Sequence, residues 1–332
     1  MIGKKFLALL LSAALLTLGA SAASTDSSTA AAAADGTAYR LEAEATVTAL
    51  DLTAKRPSLT VQTANGQTLQ LNIGEETVVL DTQTGLAAPL SGIRKGDRIY
   101  AWYSPAMTAS IPAQTACEAI VVNLDSAHAP AHLLTAESVT GDAEGNITVL
   151  TENGGLLLRI GKDAAVSPYR TKNIATIADI RMGTRFFAWY DVVATSYPGQ
   201  TGTVKAVLLP QTESESLTMV LNGKTVGAAK IENGVVMVPL RKAAEALSFT
   251  VSWNTAERNV HLTNGTVQTI VTPGEDSYYM ATAIPGAVGM SAPGALGAAS
   301  YVVNGVTWAP AELLNLLLGG GTVTLRGSVL CL

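Results

Sequence analysis

The chain of 332 residues contains two cysteines and three histidines. Cys117 and Cys331 cannot build a disulfide framework or a thiolate zinc site. They are either one bridge between distant parts of the chain or two free thiols, and the sequence leaves both open. Of the histidines, His128 and His132 sit in His-Ala-Pro-Ala-His, which reads as an interdomain linker. Pro130 there interrupts the regular helix that i, i+4 metal ligands prefer. His261 lies alone in a predicted strand. No carboxylate or cysteine completes either set, so no metal and no cofactor is expected. Charge is also scarce, at 14% of residues. Lys and Arg are scattered, which excludes the basic stripe that nucleic acid or an anionic membrane requires. Catalytic signatures are missing as well: there is no phosphate loop and no convincing carboxylate pair, and Gly289-Met-Ser-Ala-Pro-Gly294 misplaces the second glycine of a nucleophile elbow. Beyond Gly19 no apolar run approaches the length of a membrane span.

What is present begins at the N-terminus. Lys4 and Lys5 form a positive region, Phe6 to Gly19 is apolar, and Ala20-Ser-Ala22 fits the small-x-small cleavage rule. This predicts a signal peptide over 1–22, cleavage after Ala22, export to the envelope or medium, and no stable membrane span afterwards. Residues 23–37, rich in Ala, Ser and Thr, read as a disordered tether. The net charge is −5, and removal of Lys4 and Lys5 leaves −7. With 48% apolar residues the chain has ample material for packed cores. Its low charge implies a neutral polar surface of Thr, Ser, Asn, Gln and Gly.

The first two thirds are duplicated. Ile93-Arg-Lys-Gly-Asp-Arg-Ile-Tyr-Ala-Trp-Tyr103 matches Ile180-Arg-Met-Gly-Thr-Arg-Phe-Phe-Ala-Trp-Tyr190 at an offset of 87. Leu59 to Gly66 matches Ile147 to Gly154, Ser110 to Thr115 matches Ser196 to Thr201, and Ala119 to Val122 matches Ala206 to Leu209. Matches in order across a unit this long mean two complete small domains, over 38–126 and 132–210. Each is all-β in pattern. Leu59, Val61 and Thr63 alternate with polar residues, Asn65-Gly66 supplies a two-residue turn, and Leu69, Leu71 and Ile73 return. Five or six short strands predict a small OB-like barrel. The copies resemble small β-barrel modules found in tandem in exported Gram-positive proteins, a resemblance that assigns no ligand.

Two features of the copies bear on binding. Trp102, Tyr103, Trp189 and Tyr190 are aromatic pairs in strands, where neighbours face opposite ways and one of each pair is expected to be buried. The Ser-x-Pro-x-Gln-Thr loops, present in both copies, are the better place for a shared contact, although a proline-fixed turn is the simpler reading. The candidate binding surface is therefore Trp102, Trp189, Tyr197, Gln114 and Gln200. The copies carry six basic against nine acidic residues over 38–125 and seven against seven over 131–211, which is no nucleic-acid groove.

The last third, 215–332, alternates strands with one clear helix. Leu217 to Leu221 turns at Asn222-Gly223, and Asn233-Gly234 turns into Val235 to Val238. Pro239 then sits where a helix can begin without loss of a bond. Leu240, Ala243, Ala244 and Leu247 recur at helical spacing toward a core, while Arg241, Lys242 and Glu245 take the solvated side. Phe249, Val251 and Trp253 form a half-buried strand. An echo occurs 71 residues on, at Asn304-Gly-Val-Thr-Trp-Ala-Pro310 and the leucine-rich run to Leu317, ended by Gly319-Gly-Gly321. Pro285 to Ala299 reads as a loop. The architecture predicted for the whole chain is mainly β with α+β: two tandem barrels followed by an α+β domain.

Leu221-Asn-Gly-Lys224, Val238-Pro-Leu-Arg241, Ala244-Glu-Ala-Leu247, Val251-Ser-Trp253 and Val260-His-Leu262 together resemble the copper amine oxidase N-terminal-like domain, also called the stalk domain, of exported Gram-positive proteins. One departure is Ser248, where that family usually has glycine. The resemblance implies a scaffold domain, because the oxidase chemistry lies in a separate large domain with three histidine copper ligands and a tyrosine-derived quinone. The expectation is a secreted, non-catalytic envelope or extracellular scaffold that binds wall polymer or another exported protein. The alternatives are an extracellular hydrolase with dispersed residues and a ligand-sensing module.

Overall fold

In a computed structural model the described residues are 40–125, 128–171, 173–210 and 216–332. The predicted signal peptide and the predicted tether lie outside them, as do residues 126–127, Lys172 and residues 211–215.

The first unit comprises β1 (Leu41–Asp51), β2 (Ser58–Thr63), β3 (Thr68–Asp81), β4 (Arg98–Tyr103) and β5 (Ala113–Val122). They close into a barrel in the order β1-β2-β3-β5-β4, with β3 and β5 as its one parallel pair. This is the OB-like arrangement read from the sequence. The alternating residues that predicted the strands fill it: Leu59, Val61, Leu69 and Leu71 are buried with Ile99 and Ile120.

The second unit comprises β6 (Ala131–Thr135), β7 (Ser138–Gly141), β8 (Ile147–Thr151), β9 (Leu156–Pro168), β10 (Arg185–Trp189) and β11 (Gly199–Leu208). It repeats the pattern as a curled six-stranded sheet in the order β6-β10-β11-β9-β8-β7, with β9 and β11 parallel, but β6 pairs with β10 while β7 pairs with β8, so its ladder is not closed as in the first barrel. The two short strands together take the place of β1. They are separated at Ala136-Glu137, where β1 has only a register shift between Val47 and Ala49. The break serves the third unit: the Leu325 N–H donates to the Glu137 carbonyl at 2.9 Å, and Arg326 Nε lies 3.1 Å from Glu137 Oε2. His132, read from the sequence as part of a linker, lies in β6 instead, because the barrel's first strand begins before it.

The barrels pack face to face. Val78, Leu80, Trp102, Ala119 and Val121 of the first meet Leu133, Tyr169, Phe187, Val207 and Leu209 of the second. The Tyr169 hydroxyl donates to the Val79 carbonyl and accepts from its N–H, both at 2.8 Å.

The C-terminal unit has two sheets. Ranges in chain order are β12 (Ser216–Leu221), β13 (Lys224–Glu232), β14 (Val235–Pro239), α1 (Leu240–Ala246), β15 (Thr250–Asn254), β16 (Asn259–Thr263), β17 (Val267–Val271), β18 (Ala281–Thr282), β19 (Tyr301–Val303), β20 (Val306–Pro310), α2 (Glu312–Leu318), β21 (Thr324–Arg326) and β22 (Val329–Cys331). One sheet runs β19-β20-β14-β13-β12-β22-β21 and the other β15-β16-β17-β18. The echo has a structural meaning. Asn233-Gly234 and Asn304-Gly305 are equivalent turns, all four residues with positive φ, and the strands that follow them pair with each other, Val238 opposite Ala309. Each strand ends in a proline and leads into a helix over the shared core. Cys117 is buried and Cys331 half-buried, and both are free thiols. Burial pushes the Cys117 thiol up to about 12.

Ser248, after α1, has φ of 66°. That left-handed conformation costs a side-chain-bearing residue about 1–2 kcal/mol, whereas glycine adopts it freely. Ser248→Gly is therefore expected to stabilise the domain by up to about 1 kcal/mol once the added unfolded-state freedom is subtracted. A thermal melt reads this directly, and a lowered melting temperature would contradict it.

Candidate functional site

α1 presents two faces. Leu240, Ala243 and Ala244 enter the core, and Arg241, Lys242 and Glu245 stay outside, as the 3.6-residue period dictates. Beside the outer face lies a cleft of about 630 Å³, within the range of ligand sites. Pro239, Leu240, Val251 and Val260 form its floor. Trp253 stands on one side and the β19–β20 hairpin, through Val302 and Val306, on the other. These three side chains are 44%, 47% and 41% exposed. Leu240, Val251 and Val260 belong to the domain core, so the cleft lies directly against that core. At the rim, Arg241 Nη1 donates to Glu245 Oε1 at 3.1 Å and to the Val251 carbonyl at 2.6 Å. An apolar floor under a charged rim suits a ligand that is apolar on one side and polar on the other.

The residues singled out in the barrels do not converge with this cleft. Trp102 is 1% exposed and sits between the barrels, with its ring 6.1 Å from Phe187 and its Nε1 donating to Glu42 Oε2 at 2.8 Å. It is therefore removed from the candidate surface: the face of β4 that alternation left undecided is covered by the second barrel. Trp189 is half-buried; its Nε1 donates to the Thr82 carbonyl at 2.9 Å and Lys205 lies over its ring. Tyr197 is 87% exposed, Gln200 is exposed and Gln114 is half-buried. The loops that carry them share a geometry, since Ser110 and Ser196 each donate through Oγ to the carbonyl of the proline two residues on, at 2.8 Å.

His128 is exposed and lies 2.9 Å from Asp125. His132 stacks on Tyr190 at 4.3 Å, and burial lowers its pKa against the opposing pull of Glu42. Among the described residues no group of three or more His, Cys, Asp or Glu side chains is placed to hold a metal ion, and no helix is long and apolar enough to cross a membrane.

A second cavity, of about 430 Å³, lies between the second barrel and the C-terminal unit and includes Glu312. Glu312 Oε1 accepts the Met182 N–H at 2.7 Å. Burial raises the pKa of Glu312, and separately that of Glu137, against the pull of the Met182 N–H and Arg326 respectively. A carboxyl whose folded pKa is raised holds its proton more tightly when folded. Its favourable contribution is present below the ordinary value of 4.5 and is lost as pH rises through the folded value. Asp142 and Glu232 act oppositely at lower pH, being held down by hydrogen bonds from Asn146 and Tyr301. The difference in melting temperature between wild type and Glu312→Gln is thus expected to shift in favour of wild type as pH falls through the folded value of Glu312 toward 4.5, a comparison in which the opposing effect of His132 cancels. A difference that does not change with pH would contradict the assignment.

The sequence reading missed the cleft. It took Arg241 and Lys242 as a solvated face and Trp253 as a strand end. The available signal was Val302-Val303-Asn-Gly-Val306, a hairpin with apolar residues on both sides of its turn. The cleft falls inside residues 220–322, which match the family model of the copper amine oxidase N-terminal domain. No curated protein and no solved structure matches the chain.

Proposed function

We propose that the protein is an exported, non-catalytic scaffold of the cell envelope that binds wall polymer or another exported protein. The observation that carries this reading is the match of residues 220–322 to the N-terminal domain of copper amine oxidases, with no catalytic domain of that family matched. Its place after two duplicated barrels supports a modular binding protein. The Lys4-Lys5 and Phe6 to Gly19 pattern, outside the described residues, supports export. The cleft beside α1 offers the contact surface. Purified protein incubated with wall sacculi and with envelope extract tests the proposal. Retention by at least one is expected, and retention by neither would overturn it.

A further inference from the structure

The wall of the cleft formed by β15 is a free sheet edge. Among the described residues β15 pairs with β16 alone, and it contains neither proline nor charge, two of the devices that blunt an edge. In an antiparallel strand alternate residues turn N–H and C=O to the same side. The Val251 carbonyl marks that side, because Arg241 reaches it from outside the sheet. Trp253, two residues on, presents its own N–H and C=O there. Arg241 also holds Glu245, so its guanidinium can leave Val251 without losing its charge partner.

Beside this edge the cleft is lined by Val251, Val260, Val302 and Val306 with Trp253, and Trp253, Val302 and Val306 are exposed to it. The rim is cationic on balance. Arg241 and Lys242 face the single acid Glu245, and Lys242 makes no ion pair among the described residues. Such a rim on a chain of net charge −5 complements an acidic group.

We propose that the cleft takes an extended polypeptide segment of a partner protein, added to β15 as a further strand. A bulky apolar side chain of that segment fills the space between Trp253, Val302 and Val306, and an acidic residue pairs with Lys242. The inference rests on the scaffold reading and specifies its partner. In strand addition main-chain hydrogen bonds supply affinity and pockets for alternate side chains supply specificity. A polypeptide supplies the repeating donors and acceptors that match a strand edge, and its aliphatic side chains match the valine walls.

A random eight-residue peptide display library, selected on the purified full-length protein and counter-selected on Val306→Glu, tests this. Selected peptides are expected to pair a bulky apolar residue with Asp or Glu. A synthetic peptide of that pool should lose about tenfold or more in affinity on Val306→Glu and on Lys242→Glu. It should lose as much when its main chain is N-methylated at alternate residues. Both substitutions are at exposed sites, and the N-methylated peptide needs no protein variant. No enrichment over the counter-selected pool, or binding that N-methylation leaves unchanged, would overturn the proposal. Retention on sacculi or envelope extract by a protein that selects no peptide ends this inference and leaves the scaffold reading standing; a selected peptide with retention by neither does the reverse.

Discussion

Trp102→Ala is expected to destabilise the paired barrels by about 3–5 kcal/mol, the range for truncating a buried aromatic residue. Trp102 is 1% exposed, lies edge-on to Phe187, and donates its Nε1–H to Glu42. Alanine leaves a void between two barrels whose facing surfaces are set by their own strand ladders and cannot readily collapse into it. It also takes the indole donor from the Glu42 carboxylate. For a unit of this size the loss corresponds to a fall in melting temperature on the order of 10 °C. Tyr197→Ala, at a fully solvated loop tip, should change stability by less than about 0.5 kcal/mol. Chemical unfolding of the two variants side by side separates the two roles. A loss below about 1 kcal/mol for Trp102→Ala would place that residue outside a packed interface.

Asn315→Ala is the second large effect, and it falls on the C-terminal unit. Asn315 projects from α2 into the core and is 5% exposed. Its Nδ2 donates to the Val323 carbonyl at 2.8 Å and its Oδ1 accepts the Val323 N–H at 2.7 Å. The side chain thus stands in for a neighbouring strand at a point where the backbone has none. Alanine leaves both groups of Val323 buried without partners, at about 1–3 kcal/mol for each unmet group. A destabilisation of about 3 kcal/mol is expected in thermal or urea unfolding of the C-terminal unit, with the barrels unaffected. Asn315→Asp should not rescue it, because a carboxylate keeps the acceptor, loses the donor and adds a buried charge. Stability equal to wild type in either variant would contradict this account.

Much of this was legible in the residues, for local reasons. The duplicated Asn-Gly turns and alternating valines and leucines around Leu59 to Leu71 specify hairpins, because turn chemistry and a period of two act within a few residues. Pro239 and the spacing of Leu240, Ala243 and Ala244 specify α1 in the same way. What was not legible depends on partners distant in sequence. Alternation assigns Trp102 to one face of β4, but only the position of Phe187 decides that this face is an interface. The break at Ala136-Glu137 makes sense only with Leu325 and Arg326 beside it. The echo at 304–317 was visible, whereas the pairing of Val238 with Ala309 was not. The cleft belongs to the same class: its walls come from α1, β15 and a hairpin some fifty residues further on, and each looked ordinary alone.

The central claim is that this protein binds through its C-terminal unit, in the cleft beside α1. Amide hydrogen exchange of the full-length protein, alone and with the sacculi or envelope fraction that retains it, tests that claim most directly. The account predicts slowed exchange over 250–254 and 301–308, the free edge and the hairpin that flank the cleft. Protection confined to the barrel loops at 108–114 and 194–200, with the cleft unchanged, would contradict it.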